Sequence, residues 1–426
     1  VTGVQTCALP IYRTLYSLVG YLLLPILIIR LFVKSIKAPA YRKRIHERLG
    51  FIQKNSLPVI WIHCVSVGEF RASITLIDTL IKQHPKHKIL ITSTTPTGSS
   101  ALTHHYGDRI LHCYFPFDLS PIIKRYIQRL NPALCILMET EIWPNLIHSL
   151  KQNNIPSILI NARLSERSLK KYQKFAPKLI HQTLNNLSLI ASQNQNSADR
   201  FIQLGAQEDK VVNAGNIKFD QNPKSDLLTT KAIKKITQGR VVITFASTHS
   251  GEEVQIINSY LAVKEQINAL VVFVPRHPER FNQVEKLALS AGLSIERRSS
   301  ARSATQADVL LGDSMGEMMS YFEVSDIVFM GGSLNDTGGH NMLEPAALSK
   351  PIIFGPNVFN FAEISSNLLN KKAGIQVQDS KQLFTEIMQL LNNPEQLESL
   401  GANAKQYFDS QQGAVKRIAK IAMDII

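Results

Sequence analysis

The chain is poor in the residues that staple or metallate a fold. Cysteine occurs four times in 426 residues, at Cys7, Cys64, Cys113 and Cys135. None are paired as CxxC, and the last three lie in apolar runs. Buried reduced thiols in a cytosolic compartment fit best, and neither a disulfide framework nor a zinc site is supported. HExxH and DxD are missing and the histidines are scattered, so no protein-built metal site is expected. The absence of GxxxxGK(S/T) and GxGxxG argues against a P-loop NTPase and the usual NAD fingerprint. Aromatics are only 7% and are not interleaved with basic residues, which argues against a single-strand nucleic-acid face. What is abundant is positive charge. Lysine and arginine number 47 against 33 acids, a net +14, which implies a polyanionic neighbour: nucleic acid, an anionic membrane or a phosphorylated substrate. With 44% hydrophobic and 19% charged residues, disorder and low complexity are excluded.

Leu15–Val33 reads LYSLVGYLLLPILIIRLFV, nineteen residues with one charge, Arg30. That length is near the minimum for a spanning helix, and Pro25 and Arg30 weaken the case. The alternative is a helix lying in the membrane interface or on the protein itself. Lys34, Lys37, Arg42, Lys43, Arg44 and Arg48 follow the run and only Arg13 precedes it, so the bulk of the protein is expected in the cytoplasm. The strong basic flank comes after the apolar run, and no small-residue cleavage site follows, which disfavours a signal peptide. Residues 1–11 do not continue this pattern.

Thirteen short apolar runs, from VIWIHCV (59–65) to GIQVQD (374–379), alternate with amphipathic stretches. Near-continuous apolar strands between helices mean parallel sheets covered on both faces. Thirteen exceed one comfortable open sheet, so the expected class is α/β with two doubly wound domains. The expected divisions are an anchor and basic segment (12–48), a first domain (49–220), a polar linker (221–239) and a second domain (240–426). The last helix is free to pack back on the first domain.

Ligands of such sheets gather where strands end and helices begin, and the unusual residues fall there. After VIWIHCV comes Ser66-Val67-Gly68-Glu69, which reads equally as a general base in a cleft or a capping box. After ALCILMET come Glu139 and Glu141, costly unless solvated or paired, with Trp143-Pro144-Asn145 behind them. One of the two acids is expected to face the site; the alternative is helix-start acids favoured by the dipole. Lys218, in GNIKFD, is a weak signal alone. Pro275-Arg276-His277-Pro278-Glu279-Arg280 offers arginine for phosphate or carboxylate, or is a polar loop. Gly312-Asp313-Ser314-Met315-Gly316-Glu317 could admit a base or ribose, or is another capping box. The most specific signal is Gly331-Gly332 through Gly338-Gly339, four glycines in nine residues, followed by His340-Asn341-Met342-Leu343-Glu344. It favours backbone N–H groups cradling a nucleotide over packing.

These motifs (HCVSVGEF, METEIWPN, NARLSERS, GNIKFD, PRHPERF, GDSMGEM and GGHNMLEPA, in that order) make the chain resemble the 3-deoxy-D-manno-octulosonic acid (Kdo) transferases of Gram-negative bacteria, from about Tyr12 to Ile426. The resemblance implies a GT-B glycosyltransferase: two Rossmann-like domains facing a cleft, with a membrane-associated N-terminal helix. It implies inverting transfer of Kdo from CMP-Kdo to the tetra-acylated lipid A precursor (lipid IVA), in lipopolysaccharide inner-core biosynthesis at the cytoplasmic face of the inner membrane. By the same resemblance Glu69 is the base, and Glu139 and Lys218 stabilise the transition state. CMP contacts fall to Pro275, Arg276, Met315, Gly316, Glu317, Asn341, Met342, Leu343 and Glu344. No cofactor or metal is expected. The implied partners are CMP-Kdo, the lipid A precursor and anionic inner-membrane lipids, with no nucleic acid. A monophosphate leaving group suits neutralisation by helix N-termini with Arg276 or Lys218. Thr94-Thr95-Pro96-Thr97-Gly98-Ser99 and Arg163 are acceptor-side candidates. Two other readings compete: a GT-B enzyme using a UDP-sugar, and a basic, membrane-tethered nucleotide or nucleic-acid binding protein without catalysis.

Overall fold

A computed structural model describes residues 11–221, 224–300, 304 and 306–426. They form two compact units, one ending at Gln221 but including Gln412–Ile426, the other running up to Gln411.

Unit 1 holds a seven-stranded, all-parallel sheet: β1 (Val59–His63), β2 (Lys88–Ser93), β3 (Leu111–Tyr114), β4 (Pro132–Met138), β5 (Ser157–Ala162), β6 (Leu189–Ser192) and β7 (Val211–Asn213). The spatial order is β3-β2-β1-β4-β5-β6-β7, so the winding reverses between β1 and β4. Strand residues alternate between two cores. Val59, Trp61, Cys135, Leu137 and Leu159 enter one; Ile60, Ile62, Leu134, Ile136, Ile158 and Ile160 enter the other. This two-faced burial is why the strands read as continuous apolar runs. Three of the cysteines, Cys64, Cys113 and Cys135, are buried free thiols. The final helix, Ala414–Ile425, belongs to this unit and buries Ile418, Ala419 and Ala422 in its second core. The Asp220 carboxylate accepts from the N–H groups of Gly413 and Val415, the latter at 2.6 Å.

Unit 2 repeats the plan with β8 (Val241–Thr248), β9 (Ala269–Pro275), β10 (Ile295–Arg297), β11 (Val309–Leu311), β12 (Ile327–Met330), β13 (Ile352–Phe354) and β14 (Ile375–Gln376), all parallel. The order is β10-β11-β9-β8-β12-β13-β14, with its reversal between β8 and β12. Among the described residues fourteen strands thus stand against thirteen expected; the extra one is the short edge strand β10. The stretch 221–239 is not a linker in its described part. Leu227–Thr237 is a helix capped by the Asp226 carboxylate on the Thr229 N–H (2.7 Å), and it buries Ile233 and Ile236 against Val242 and Leu270.

The N-terminal run forms one helix, Ile11–Lys37, longer than the apolar core read from sequence and unbroken at Pro25. Its most apolar window is fully unburied, the length and hydropathy of a membrane-crossing helix. Yet its first turns are docked on unit 1. The Tyr16 hydroxyl donates to Asp118 Oδ2 (3.0 Å), and the Ser17 hydroxyl and Arg13 guanidinium donate to Asn145 Oδ1 (3.1 and 3.4 Å). A Cβ on Gly20 would lie 2.8 Å from Leu119 Cδ2, so glycine permits this close packing. The basic segment behind the helix is only partly a solvated flank. Arg48 is buried, donates to Thr94 O at 2.7 Å and lies 4.2 Å over the Tyr114 ring.

Candidate active site

In unit 1 the strands at the reversal carry the acids. β1 runs through Cys64 and Val65 into the helix Val67–Gln83, whose N-cap is Ser66. Of the capping box the helix keeps one half: the Ser66 hydroxyl accepts from the Glu69 N–H (3.4 Å), while Glu69 Oε2 accepts from the N–H of Val65 (2.8 Å), one residue before the N-cap. The Val65 N–H thus fixes the carboxylate just beyond the end of β1. Partial burial pushes Glu69 up to about 7; Glu139 and Glu141 add to this, and Lys218 and the Val65 N–H oppose it. A carboxyl that ionises near neutrality suits a general base.

Glu139 follows β4 with φ 54°, a left-handed conformation that costs a non-glycine residue about 1 kcal/mol or more. It is held there from both sides: its N–H donates to Ile160 O (3.0 Å) and its carbonyl accepts from the Arg163 N–H (3.2 Å). The twist aims the half-buried side chain at Lys218, whose Nζ lies 3.0 Å from Glu139 Oε1. Lys218 sits in the short turn Ile217–Asp220, fixed by Asn216 Oδ1 on its own N–H (3.0 Å) and Asn161 Oδ1 on the Ile217 N–H (3.2 Å). Glu141, the other acid of the motif, takes a separate role. It accepts from Trp143 Nε1 (2.8 Å) and lies 3.4 Å from Nε2 of the buried His63. Glu69, Glu139 and Lys218 are therefore brought together, and Glu141 braces the wall beside them.

In unit 2 the expected donor residues lie on three loops at the carboxyl ends of β9, β11 and β12. Pro275 is buried at the end of β9; Arg276 follows, exposed, with its N–H donating to Thr248 O (3.1 Å). Arg280, from the same motif, is committed to the fully buried Glu253 (Nη2 to Oε2 2.9 Å). Met315 is exposed, and Gly316 has φ +85° with open space where a side chain would be. Ser314 and Glu317 do not form a capping box: the Ser314 hydroxyl donates to the Glu317 carboxylate, and the helix begins only at Met318. Asn341 Nδ2 donates to Glu344 Oε1 (3.1 Å), and Asn341 Oδ1 accepts from the Leu343 N–H (3.2 Å). Met342 and Leu343 are buried, so their side chains are closed to solvent.

The glycine-rich loop differs from expectation. The N–H groups of Gly332, Ser333 and Leu334 donate to a carboxylate of the protein itself, Glu252, at 2.7, 3.0 and 2.9 Å, and the His249 N–H joins them at 3.0 Å. Packing also explains two of the four glycines. A Cβ on Gly331 would lie 2.8 Å from the Ala246 and Ser247 carbonyl oxygens, and one on Gly338 would strike Phe359 and Asn360.

Comparison with known proteins decides the lineage. Residues 43–221 match the family model described as 3-deoxy-D-manno-octulosonic-acid transferase, and residues 255–407 match glycosyl transferases group 1. The chain is 39% identical over 418 residues to the 3-deoxy-D-manno-octulosonic acid transferase of Haemophilus influenzae, covering 96% of this chain and 97% of that one. The chain belongs to the Kdo transferase family. The enzyme of the same name from Bordetella pertussis is 31% identical, covering 84% and 85%. A solved glycosyltransferase from Rickettsia africae aligns over 87% of this chain and 99% of its own at TM-score 0.58 and 14% identity, a likeness of fold. This Kdo transferase homologue is accordingly a glycosyltransferase with the two-sheet α/β architecture of the GT-B class.

Of the acceptor-side candidates in this family member, Thr95 caps its own helix on the Gly98 N–H (3.1 Å) and Thr94 bonds Val65 O (3.1 Å). Arg163 is exposed beside Glu139. Sequence reasoning missed Glu252, Glu253, Asp118 and His249. Glu252-Glu253 carried a usable signal, two adjacent acids soon after a buried strand, of the same kind as Glu139 and Glu141.

Proposed function

We propose that this chain transfers Kdo from CMP-Kdo to the tetra-acylated lipid A precursor, with inversion, at the cytoplasmic face of the inner membrane. The observation that carries the reading is the Glu69–Glu139–Lys218 group at the winding reversal of unit 1. Glu69, ionising near neutrality, takes the proton of the acceptor hydroxyl as its oxygen attacks the anomeric carbon. The bond to the CMP phosphate breaks with its electron pair. The Lys218 ammonium, held by Glu139, supplies positive charge where negative charge develops. Unit 2 contributes Arg276 to the donor's anionic groups, Gly316 as an open approach for a base or ribose, and Glu344 with Asn341 as hydrogen-bonding partners for ribose hydroxyls. The reaction proceeds with side-chain cations in these places and no resident metal or cofactor.

The apolar helix Ile11–Lys37, followed by the exposed Arg42 and Lys43, supports attachment to an anionic membrane, where a lipid acceptor with phosphate groups resides. The test is mass spectrometry of the lipid A precursor incubated with CMP-Kdo and the wild-type chain beside Glu69→Gln, with thermal melts of both. A Kdo mass increment that disappears in a normally melting variant supports the assignment. No increment from wild type, with CMP leaving its melting temperature unmoved, sinks it.

A further inference from the structure

Three histidines meet at the winding reversal of unit 2, each from a different loop. His249 follows β8, His277 follows β9, and His340 lies in the glycine-rich loop after β12. His249 Nε2 and His340 Nε2 are 2.8 Å apart, their rings within 5° of parallel. His277 stands edge-on to His249, with centroids 5.4 Å apart. At 2.8 Å one Nε2 must donate and the other accept. The pair can take one proton, on the free Nδ1 of the donor ring, and keep its bond. A second proton would set N–H against N–H.

The groups around the pair keep that first proton off. His340 is largely buried against Gly332, its Cδ2 3.1 Å from where a Cβ would sit. Burial, reinforced by His249, Arg276 and His277, lowers it to about 4. Burial likewise lowers His249, with His277, Arg276 and Arg280 adding to the effect. The nearby carboxylates are already committed: Glu252 to four backbone N–H groups, and Glu253 to Arg280. That leaves Arg276 as an exposed cation with no carboxylate partner among the described residues, beside a histidine pair that burial holds neutral and whose protonation its charge further opposes.

We infer that His249 and His340 form a proton-coupled anion site: a phosphate anion drawn to Arg276 offsets the local positive charge, and the pair then takes up one proton. This rests on the reading of unit 2 as the donor-binding unit and adds to it. Donor binding carries a proton with it, so the histidine pair adds its positive charge to that of Arg276 only when the phosphate is present. His249 and His340 are positioning residues in this scheme, placed to tune affinity.

The test is calorimetric titration of the full chain with CMP at pH 7 in two buffers of different ionisation enthalpy, repeated with His340→Gln and His249→Gln. Melts without ligand verify that all three proteins fold. The nucleotide's own second ionisation, near pH 6, is common to all three proteins and cancels in the difference. Wild type is expected to take up a fraction of one proton more than either variant. Its CMP affinity should fall with rising pH, approaching about tenfold per pH unit, and more steeply than in the variants. Equal proton uptake in all three proteins overturns the inference and leaves the donor reading standing. If CMP fails to bind but inorganic phosphate binds with histidine-dependent uptake, the anion site stands and the donor reading falls. Binding of neither overturns both.

Discussion

In unit 1 the acids after the central strands, Glu69 and Glu139, remain half-buried. One is pushed up toward neutrality by burial and like charge; the other is paired with a lysine across a strained backbone. In unit 2 the corresponding acids, Glu252 and Glu253, are fully buried and completely answered, by four N–H groups and by Arg280. The same winding produces both arrangements. The difference lies in whether a carboxylate has spent its hydrogen-bonding capacity on the fold or kept it for a ligand. An acid satisfied by its own backbone holds a loop in place; one left partly unsatisfied is available for chemistry.

Exchanging these roles by mutation should break the comparison along different axes. Glu69→Gln should lower transfer by about 10²–10⁴-fold while leaving the fold intact, since glutamine can still accept from the Val65 N–H. The stability sign can be checked separately. Folding favours protonated Glu69, so its contribution is complete below the ordinary value near 4.5 and is lost as pH rises through about 7. The stability gap between Glu69→Gln and wild type should therefore widen in favour of the variant from pH 5 to pH 8 in denaturant titrations. Glu252→Ala should do the reverse. It strands buried N–H donors and should destabilise unit 2 by at least about 3 kcal/mol. A variant that melts like wild type would show that those N–H groups find other partners.

Glu139 allows a finer cut, because strain and chemistry act on one residue. Glu139→Gly removes the penalty of φ 54° and should stabilise the chain by up to about 1 kcal/mol, yet it should lose at least about tenfold in activity. Equal losses of both would mean that the backbone twist is not strained. Glu139→Gln should also move the acidic limb of the pH–rate profile from about 7 toward the ordinary carboxylate value. It removes a negative neighbour of Glu69 and frees the Lys218 charge, and both changes favour the ionised form.

Much of this was legible in the sequence because it is local. Continuous apolar runs announced parallel strands, and the candidate site residues were placed after strand ends because strand ends could be read from those runs. β10 was lost because Ile295-Glu296-Arg297 carries a single apolar residue. The helix 227–237 was lost because its buried face is little more than Ile233 and Ile236 amid lysines and threonines. The pairing of Glu139 with Lys218, 79 positions apart, has no local signature; only the family resemblance implied that both belong to one site. The glycine-rich loop misled for a related reason. Its composition signals an anion, but only three-dimensional structure shows that the anion bound by three of its N–H groups is the protein's own Glu252.

The smallest predicted effect tests the same rule at the edge of unit 1. Asp118 is a buried carboxylate that, like Glu252, is mostly spent on the fold: it accepts from the N–H groups of Asn145 and Leu146 at 3.1 and 2.7 Å, capping the helix Pro144–Gln152 from a distance. Its third donor is the Tyr16 hydroxyl, from the apolar N-terminal helix. Tyr16→Phe removes that one donor and leaves the cap, so global stability should fall by only about 1 kcal/mol. The first turns of the helix should loosen first, seen as faster hydrogen exchange around residues 13–20 in detergent. A helix held to the protein at these turns has only its remaining apolar length and outward face to give to lipid. If exchange there is unchanged by Tyr16→Phe, the tyrosine hydroxyl is not what holds the helix, and Gly20 packed on Leu119 becomes the contact to break next.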